Sequence, residues 1–285
     1  MPELPDLVYI RNRLEEKVVG REITGVTVEE PVVLRVTVPQ SFEVILKGKK
    51  ILQVYRRGPF VGFRLSEGME IIVHPMLTGK FKWINSNRKK RGRFCFIIDL
   101  ADNSHLFYLD EKRMGKVYLV LEGDYSSIPR FREQGVDILS PEFTWERFQS
   151  LISGRRNQVR VFLMDQTALS AIGNAYADEI LFHSQIHPKT LCSQLIEEQR
   201  KQLYRSIKEV IQWGIEEVEE AGEPMEVKVR GHMRVRNRKG EPCPRCSTPI
   251  RSAGVLGHDS FFCPECQPTT RKVFIDWRKA VKTVK

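Results

Sequence analysis

Six cysteines are spread unevenly along the 285-residue chain. Four of them form two short pairs, "CPRC" and "CPEC": Cys243, Cys246, Cys263 and Cys266. The full spacing is C-x2-C-x16-C-x2-C, inside the window of zinc ribbons. Four thiolates suit a tetrahedral Zn²⁺ ion. Two disulfides or a redox pair are the alternatives, and the doubled motif in a reducing cytoplasm favours zinc. Cys95, in "RFCFIIDL", and Cys192, near a helix start, read as structural residues instead.

Two further stretches carry reactive types. The chain opens "MPELPD", with two prolines and two acids before any apolar rhythm begins. A chain end usually frays. It is also the one place where a backbone nitrogen can be a free amine. The second stretch is "DQTALSAIGNAYADEILF", residues 165–182. It has a polar interruption between two helical segments, where Gly173 permits a tight turn and Asn174 follows. Backbone amides at a helix start, with an Asn amide beside them, suit a phosphate. A Gly-Asn pair by itself also simply marks a turn.

The elements that must position these groups fall into two regimes. Residues 1–130 read as β-rich after a first amphipathic helix carrying Leu7, Ile10 and Leu14. "PVVLRVTV", "MEIIVHPML", "RFCFIIDL" and "HLFYLD" are short apolar runs bounded by turn residues. A linker, "RFREQGVDILSP", leads into a helical region. Ser140 and Pro141 are its expected N-cap and N1 pair, and Gly154 its close. A helix over about 193–221 has Leu203, Ile207, Val210, Ile211 and Val218 at helical spacing, with Gly222 just beyond.

The formal charge of +10 favours a polyanionic partner, with a merely basic surface as the alternative. No apolar run reaches the length of a membrane span, and the acidic, proline-bearing start does not resemble a signal peptide. A cytoplasmic, nucleoid-associated monomer is the expectation. The last 18 residues, "PTTRKVFIDWRKAVKTVK", are strongly basic, either as a solvated tail or as a phosphate contact.

"MPELP", "AIGNAYADEILF" and "RKGEPCPRC…FFCPECQ" occur in this order. Together they resemble the formamidopyrimidine-DNA glycosylase and endonuclease VIII family over about residues 1–267. The resemblance implies an α+β architecture. An N-terminal β-sandwich domain with flanking helices (1–130) precedes a helix–two-turn–helix domain (131–234), a zinc-ribbon-type finger (235–267) and a basic tail (268–285). Double-stranded damaged DNA would lie between the domains, with the target nucleotide flipped out.

On this resemblance, removal of Met1 leaves Pro2 as a secondary amine that attacks C1′ of the sugar and forms an iminium. Glu3 matches the carboxylate that protonates the opening sugar. The expected activity is bifunctional, base release followed by nicking of the abasic site, with one structural zinc. DNA contacts would come from Leu77, Arg91, Lys112, Arg113, Arg155, Asn174 and His258.

Several of these positions depart from the family pattern. Asp6 is one methylene shorter than the usual Glu, a carboxylate expected to help position the flipped nucleotide. Pro59, in "YRRGPFVGF", stands where a lysine is expected, and the neighbouring arginines cannot replace it in proton transfer. Leu77 replaces an intercalating Met and remains a competent wedge. "KRMG" (Lys112, Arg113, Met114) replaces "RRF", which puts Lys112 opposite the orphaned base. His258 replaces the finger's arginine, making that charge pH-dependent. The departures point to altered lesion specificity. A lyase-only or non-catalytic binder of abasic or distorted DNA is the alternative, and a zinc-ribbon transcription or RNA factor would leave the N-terminus unexplained.

Overall fold

A computed structural model of the chain describes residues 1–85 and 93–269. Arg91 and residues 270–285 lie outside them. The chain divides into two units. The first comprises Met1–Phe143, Met164–Gly173 and Lys208–His232; the second comprises Thr144–Leu163, Asn174–Ile207 and the chain from Met233 onward.

The first unit begins with helix α1 (Leu4–Val18), which has Pro5 in its first turn. Pro there costs no intrahelical hydrogen bond. Leu4, Leu7, Ile10, Leu14 and Val18 recur at helical spacing and are buried. Nine strands follow: β1 (Ile23–Val28), β2 (Leu34–Val36), β3 (Ile51–Arg57), β4 (Phe60–Leu65), β5 (Met69–His74), β6 (Gly79–Asn85), β7 (Phe96–Leu100), β8 (Ser104–Asp110) and β9 (Lys116–Leu121). A short helix, α2 (Phe42–Leu46), sits between β2 and β3.

These strands form a four-stranded sheet, β1-β7-β8-β6, and a five-stranded sheet, β2-β9-β5-β4-β3. Pairing is antiparallel except between β2 and β9, where Leu34 lies opposite Val117. The sheets meet through aromatic rings: Phe63 of β4 is 5.8 Å from Phe81 of β6. This is the expected sandwich.

The second unit contains α3 (Trp145–Ile152), α4 (Val159–Leu163), α5 (Asn174–His183) and the N-terminal part of α6 (Glu197–Ala221), whose remainder belongs to the first unit. A hairpin, β10 (Arg251–Val255) and β11 (His258–Phe262), completes it. Helix α3 starts later than the Ser140-Pro141 pair suggests. Thr144 is its N-cap, its hydroxyl accepting from the Arg147 amide, while the Ser140 hydroxyl closes a local turn onto the Glu142 amide. Both are small hydroxyl caps, and only the position of the first helical turn separates them. Helix α6 ends as expected, before Gly222 at φ 59°. No helix among the described residues is long and apolar enough to cross a membrane.

Candidate active site and metal centre

In the first unit the N-terminal residues are held in place, not frayed. Pro2 is buried and Glu3 is 6% exposed. The Leu4 amide donates to the carbonyl of Ala171 at 2.8 Å, and the Glu3 carboxylate accepts from the Gly173 amide at 3.0 Å. The Glu3 amide donates to Asp6 Oδ2 at 2.8 Å, a backward cap of the helix start. Arg230 grips the same carboxylate with both nitrogens, at 2.8 and 2.6 Å. Asp6 is therefore buried and fully engaged within the protein. Both of its oxygens are bound at the start of α1, by the Glu3 amide and by Arg230.

The loop that receives Glu3 is built by Gln166. Its amide nitrogen donates to the Ile172 carbonyl at 2.8 Å, and its oxygen accepts from the Ala171 amide at 2.8 Å. The left-handed residue of this loop is Ala171, at φ 64°, not Gly173. Gly173 is needed for another reason. A Cβ placed there would stand 2.6 Å from Glu3 Cδ and 2.8 Å from Glu3 Oε1. The glycine makes room for the carboxylate.

Pro59 lies buried in the two-residue turn between β3 and β4, beside Gly58 at φ 53°. Of the flanking arginines, Arg56 pairs with Asp137, while exposed Arg57 donates to the Phe131 carbonyl at 2.7 Å and has no carboxylate partner among the described residues.

Among the exposed apolar side chains on loops of this unit are Leu77, 49% exposed, and Met114, 36% exposed. The sequence reading names Met114 in the second loop but counts only Lys112 and Arg113 among the DNA contacts. The signal for it is the apolar residue closing "KRM" in an otherwise charged turn. The two loops share one anchor: Asp110 accepts from the Thr78 hydroxyl and, at 2.6 Å, from the Gly115 amide. Lys112 is exposed. Arg113 is at φ 53° and pairs with Glu30 at 2.5 Å. His74, at the start of the Leu77 loop, accepts from the Met76 amide at 3.1 Å. Burial pushes its pKa down to about 4, which keeps the ring neutral.

In the second unit Asn174 opens α5. Its side-chain oxygen accepts from Arg160 Nη2 at 2.7 Å, which leaves the amide NH₂ as the donating end. Arg160 is 1% exposed. It also binds Asp178 at 3.0 Å and the carbonyl of Asp259 at 3.2 Å. One buried guanidinium thus ties Asn174 to the strand that carries exposed His258. Asp178 additionally holds Arg236 at 2.8 Å, the Ser260 hydroxyl at 2.7 Å and the Phe261 amide at 3.2 Å. Glu179 accepts from the amides of Arg234, Val235 and Arg236. Burial pushes its pKa up. These paired acids of "YADEILF" fasten the finger to α5, a role that the sequence reading does not assign. Two adjacent acids within an apolar helical run are the legible signal. Arg155 is placed apart from this network: it donates to the Leu151 carbonyl at 2.8 Å and packs over the Phe162 ring.

The four cysteine sulfurs lie within 4.8 Å of one another. The Cys243–Cys266 and Cys246–Cys263 separations are 3.8 and 3.5 Å. A disulfide requires about 2.0 Å. Tetrahedral Zn–S bonds of about 2.3 Å put sulfurs about 3.8 Å apart, so the set fits zinc. The Arg245 and Cys266 amides donate to Cys243 Sγ and Cys263 Sγ at 3.4 Å, which supports thiolate charge. Cys243, Cys263, Val235, Ile250 and Phe182 form one apolar cluster behind the site.

Comparison with known proteins agrees along the chain. Residues 1–117 match the formamidopyrimidine-DNA glycosylase N-terminal domain, 134–223 the H2TH domain of the same proteins, and 240–269 the zinc finger found in FPG and IleRS. The chain is 33% identical over 276 residues to a formamidopyrimidine-DNA glycosylase of Pelotomaculum thermopropionicum, covering 94% of this chain and 99% of that protein. It resembles the solved structure of Lactococcus lactis Fpg with abasic-site DNA at a TM-score of 0.84 and 27% identity, over 94% of this chain and 100% of that one. For the solved Fpg protein of Thermus thermophilus the values are 0.81 and 30%, over 93% and 98%. The four cysteines thus form a structural zinc site within a matched zinc finger.

Proposed function

The chain belongs to the formamidopyrimidine-DNA glycosylase family, and from that membership we propose that it is a base-excision DNA repair enzyme, a bifunctional glycosylase and abasic-site lyase. The observation that carries this reading is the held N-terminus: buried Pro2 next to a Glu3 carboxylate fixed by the Gly173 amide. With Met1 removed, the Pro2 nitrogen is a secondary amine and attacks C1′ of a flipped nucleotide. The C1′–N bond to the base breaks with its electron pair leaving on the base. The attached amine gives up its proton, and its lone pair then breaks the C1′–O4′ bond as Glu3 protonates the sugar oxygen. The resulting iminium acidifies the 2′ carbon. Loss of a proton there expels the 3′ phosphate by β-elimination. Leu77 and Met114 are the candidate wedges for the vacated stack, and Lys112 faces the unpaired base. Asn174 and His258 are the candidate phosphate donors. Arg91 and Arg113 complete the basic set in this reading, and Arg155 contributes charge at the start of the helical region.

Borohydride trapping on abasic DNA tests it. Mature protein should form a covalent complex, and protein with a retained Met1 or an N-terminal tag should not. Equal trapping by tagged protein would remove Pro2 as the nucleophile.

One observation favours the narrower alternative, a lyase or binder that has lost base excision. Pro59 is buried in its turn, and Arg56 is paired with Asp137. Oligonucleotides carrying oxidised purines, oxidised pyrimidines or abasic sites separate the two readings. Base release that disappears in Glu3→Gln supports the full enzyme. Binding without base release supports the alternative.

A further inference from the structure

Pro59 takes the place of the expected lysine, and a cation close to the N-terminal amine comes from elsewhere in the chain. The segment after α6 offers one. It is fastened to the first unit at four points: Tyr9 Oη donates to the Glu223 carbonyl at 2.6 Å, Glu226 pairs with Lys82 at 3.4 Å, Lys228 Nζ donates to the Leu77 carbonyl at 3.1 Å, and Arg230 grips Asp6. Lys228 lines a small cavity with Pro2, Asp6 and Tyr9. It also lines an adjoining groove with Leu77 and Thr78. Its ammonium therefore stands between the N-terminus and the Leu77 loop.

We propose that Lys228 is the electrostatic partner of the N-terminal amine, the cation that disfavours protonation of the attacking nitrogen in this Pro59 chain. The proposal rests on the amine chemistry proposed above and adds the residue that tunes it. Charge around the amine is mixed. Glu3 and Asp6 favour its protonated form, Lys228 opposes it, and His74 is neutral. Glu226 and Lys80 line the same cavity, and Arg230 is spent on Asp6. The Met1 amine is pushed down to about 6 by burial first and by Lys228 second. Pro2 is itself buried and lines the cavity that holds Lys228, so its nitrogen, once free, faces the same cation. A neutral amine attacks C1′, so a cation here raises the reactive fraction at acidic pH.

The test uses mature full-length protein, Lys228→Met and Lys228→Arg, with two readouts. Competitive labelling of the N-terminal amine across about pH 5 to about pH 9, read by mass spectrometry, needs no DNA. Cyanoborohydride trapping on abasic DNA over the same range reads the chemistry. Lys228→Met should raise both midpoints by about one pH unit and slow trapping about tenfold below both midpoints. Lys228→Arg keeps the charge and should keep the wild-type midpoint. Midpoints of Lys228→Met that superimpose on wild type overturn the assignment. A labelling midpoint that moves in a protein that never traps overturns the lyase reading and leaves Lys228 as the amine's partner.

Discussion

Gly173→Ala is the sharpest probe of the N-terminal arrangement. The backbone at Gly173 is not left-handed, so alanine costs nothing in conformation; the effect is steric. The new methyl would sit 2.6 Å from Glu3 Cδ. Ordinary carbon contacts need about 3.5–4.0 Å, so the carboxylate must retreat by about 1 Å. It cannot swing freely, because Glu3 is 6% exposed and the Leu4 amide is bound to Ala171. Retreat breaks the 3.0 Å bond from the Gly173 amide. A hydrogen bond to a charged group is worth about 1.5–3 kcal/mol, or about 10- to 150-fold in rate if it is realised in the transition state. A misplacement of about 1 Å costs a similar factor. Overpacking should remove about 1–3 kcal/mol of stability. Single-turnover base release on the best substrate and urea unfolding measure the two effects. If the loss acts through Glu3, Gly173→Ala should cost little more in a Glu3→Gln background. Release within twofold of wild type, with unchanged stability, refutes this account of the glycine, and full additivity with Glu3→Gln refutes its route.

Three further outcomes follow from the same geometry. Asp110→Ala releases the Thr78 and Gly115 anchors together, so affinity for lesion DNA should fall about tenfold or more, with borohydride trapping at saturating DNA changing much less; equal loss of both would mean that Asp110 acts on the chemistry. His74 has a folded pKa of about 4 against an ordinary 6.5, so the unfolded state binds more protons between those values. Stability should therefore rise with pH across that window by up to about 3 kcal/mol, and urea midpoints of His74→Asn should lose that slope. Cys263→Ser should lower bound zinc, measured by atomic absorption, and weaken DNA binding; unchanged metal content would refute the four-cysteine site.

What the sequence determined by itself was local chemistry and repeat spacing. The zinc ligands are legible because each Cys-x-x-Cys turn presents two sulfurs by its own backbone geometry. The burial of α1 and the end of α6 at Gly222 follow from helical periodicity and capping. Family motifs in order carried the sandwich, the helical domain and the finger. Where a helix begins was less legible: Ser140 and Thr144 are chemically alike as caps.

Only tertiary structure decided the partners of residues far apart in the chain. Glu3 meets Gly173 across 170 positions, and Asp6 meets Arg230 across 224. No pattern within either segment encodes those pairs. Hence the sequence shows Gly173 as a turn glycine but not the carboxylate it leaves room for, and Asp6 but not the Arg230 that binds it at the helix start. Asp178 and Glu179 read as part of a motif, and folding made them the buried acids that fasten the finger to α5. A side chain's type sets which bonds it can make. Which of those bonds it does make depends on what the fold brings within about 3 Å.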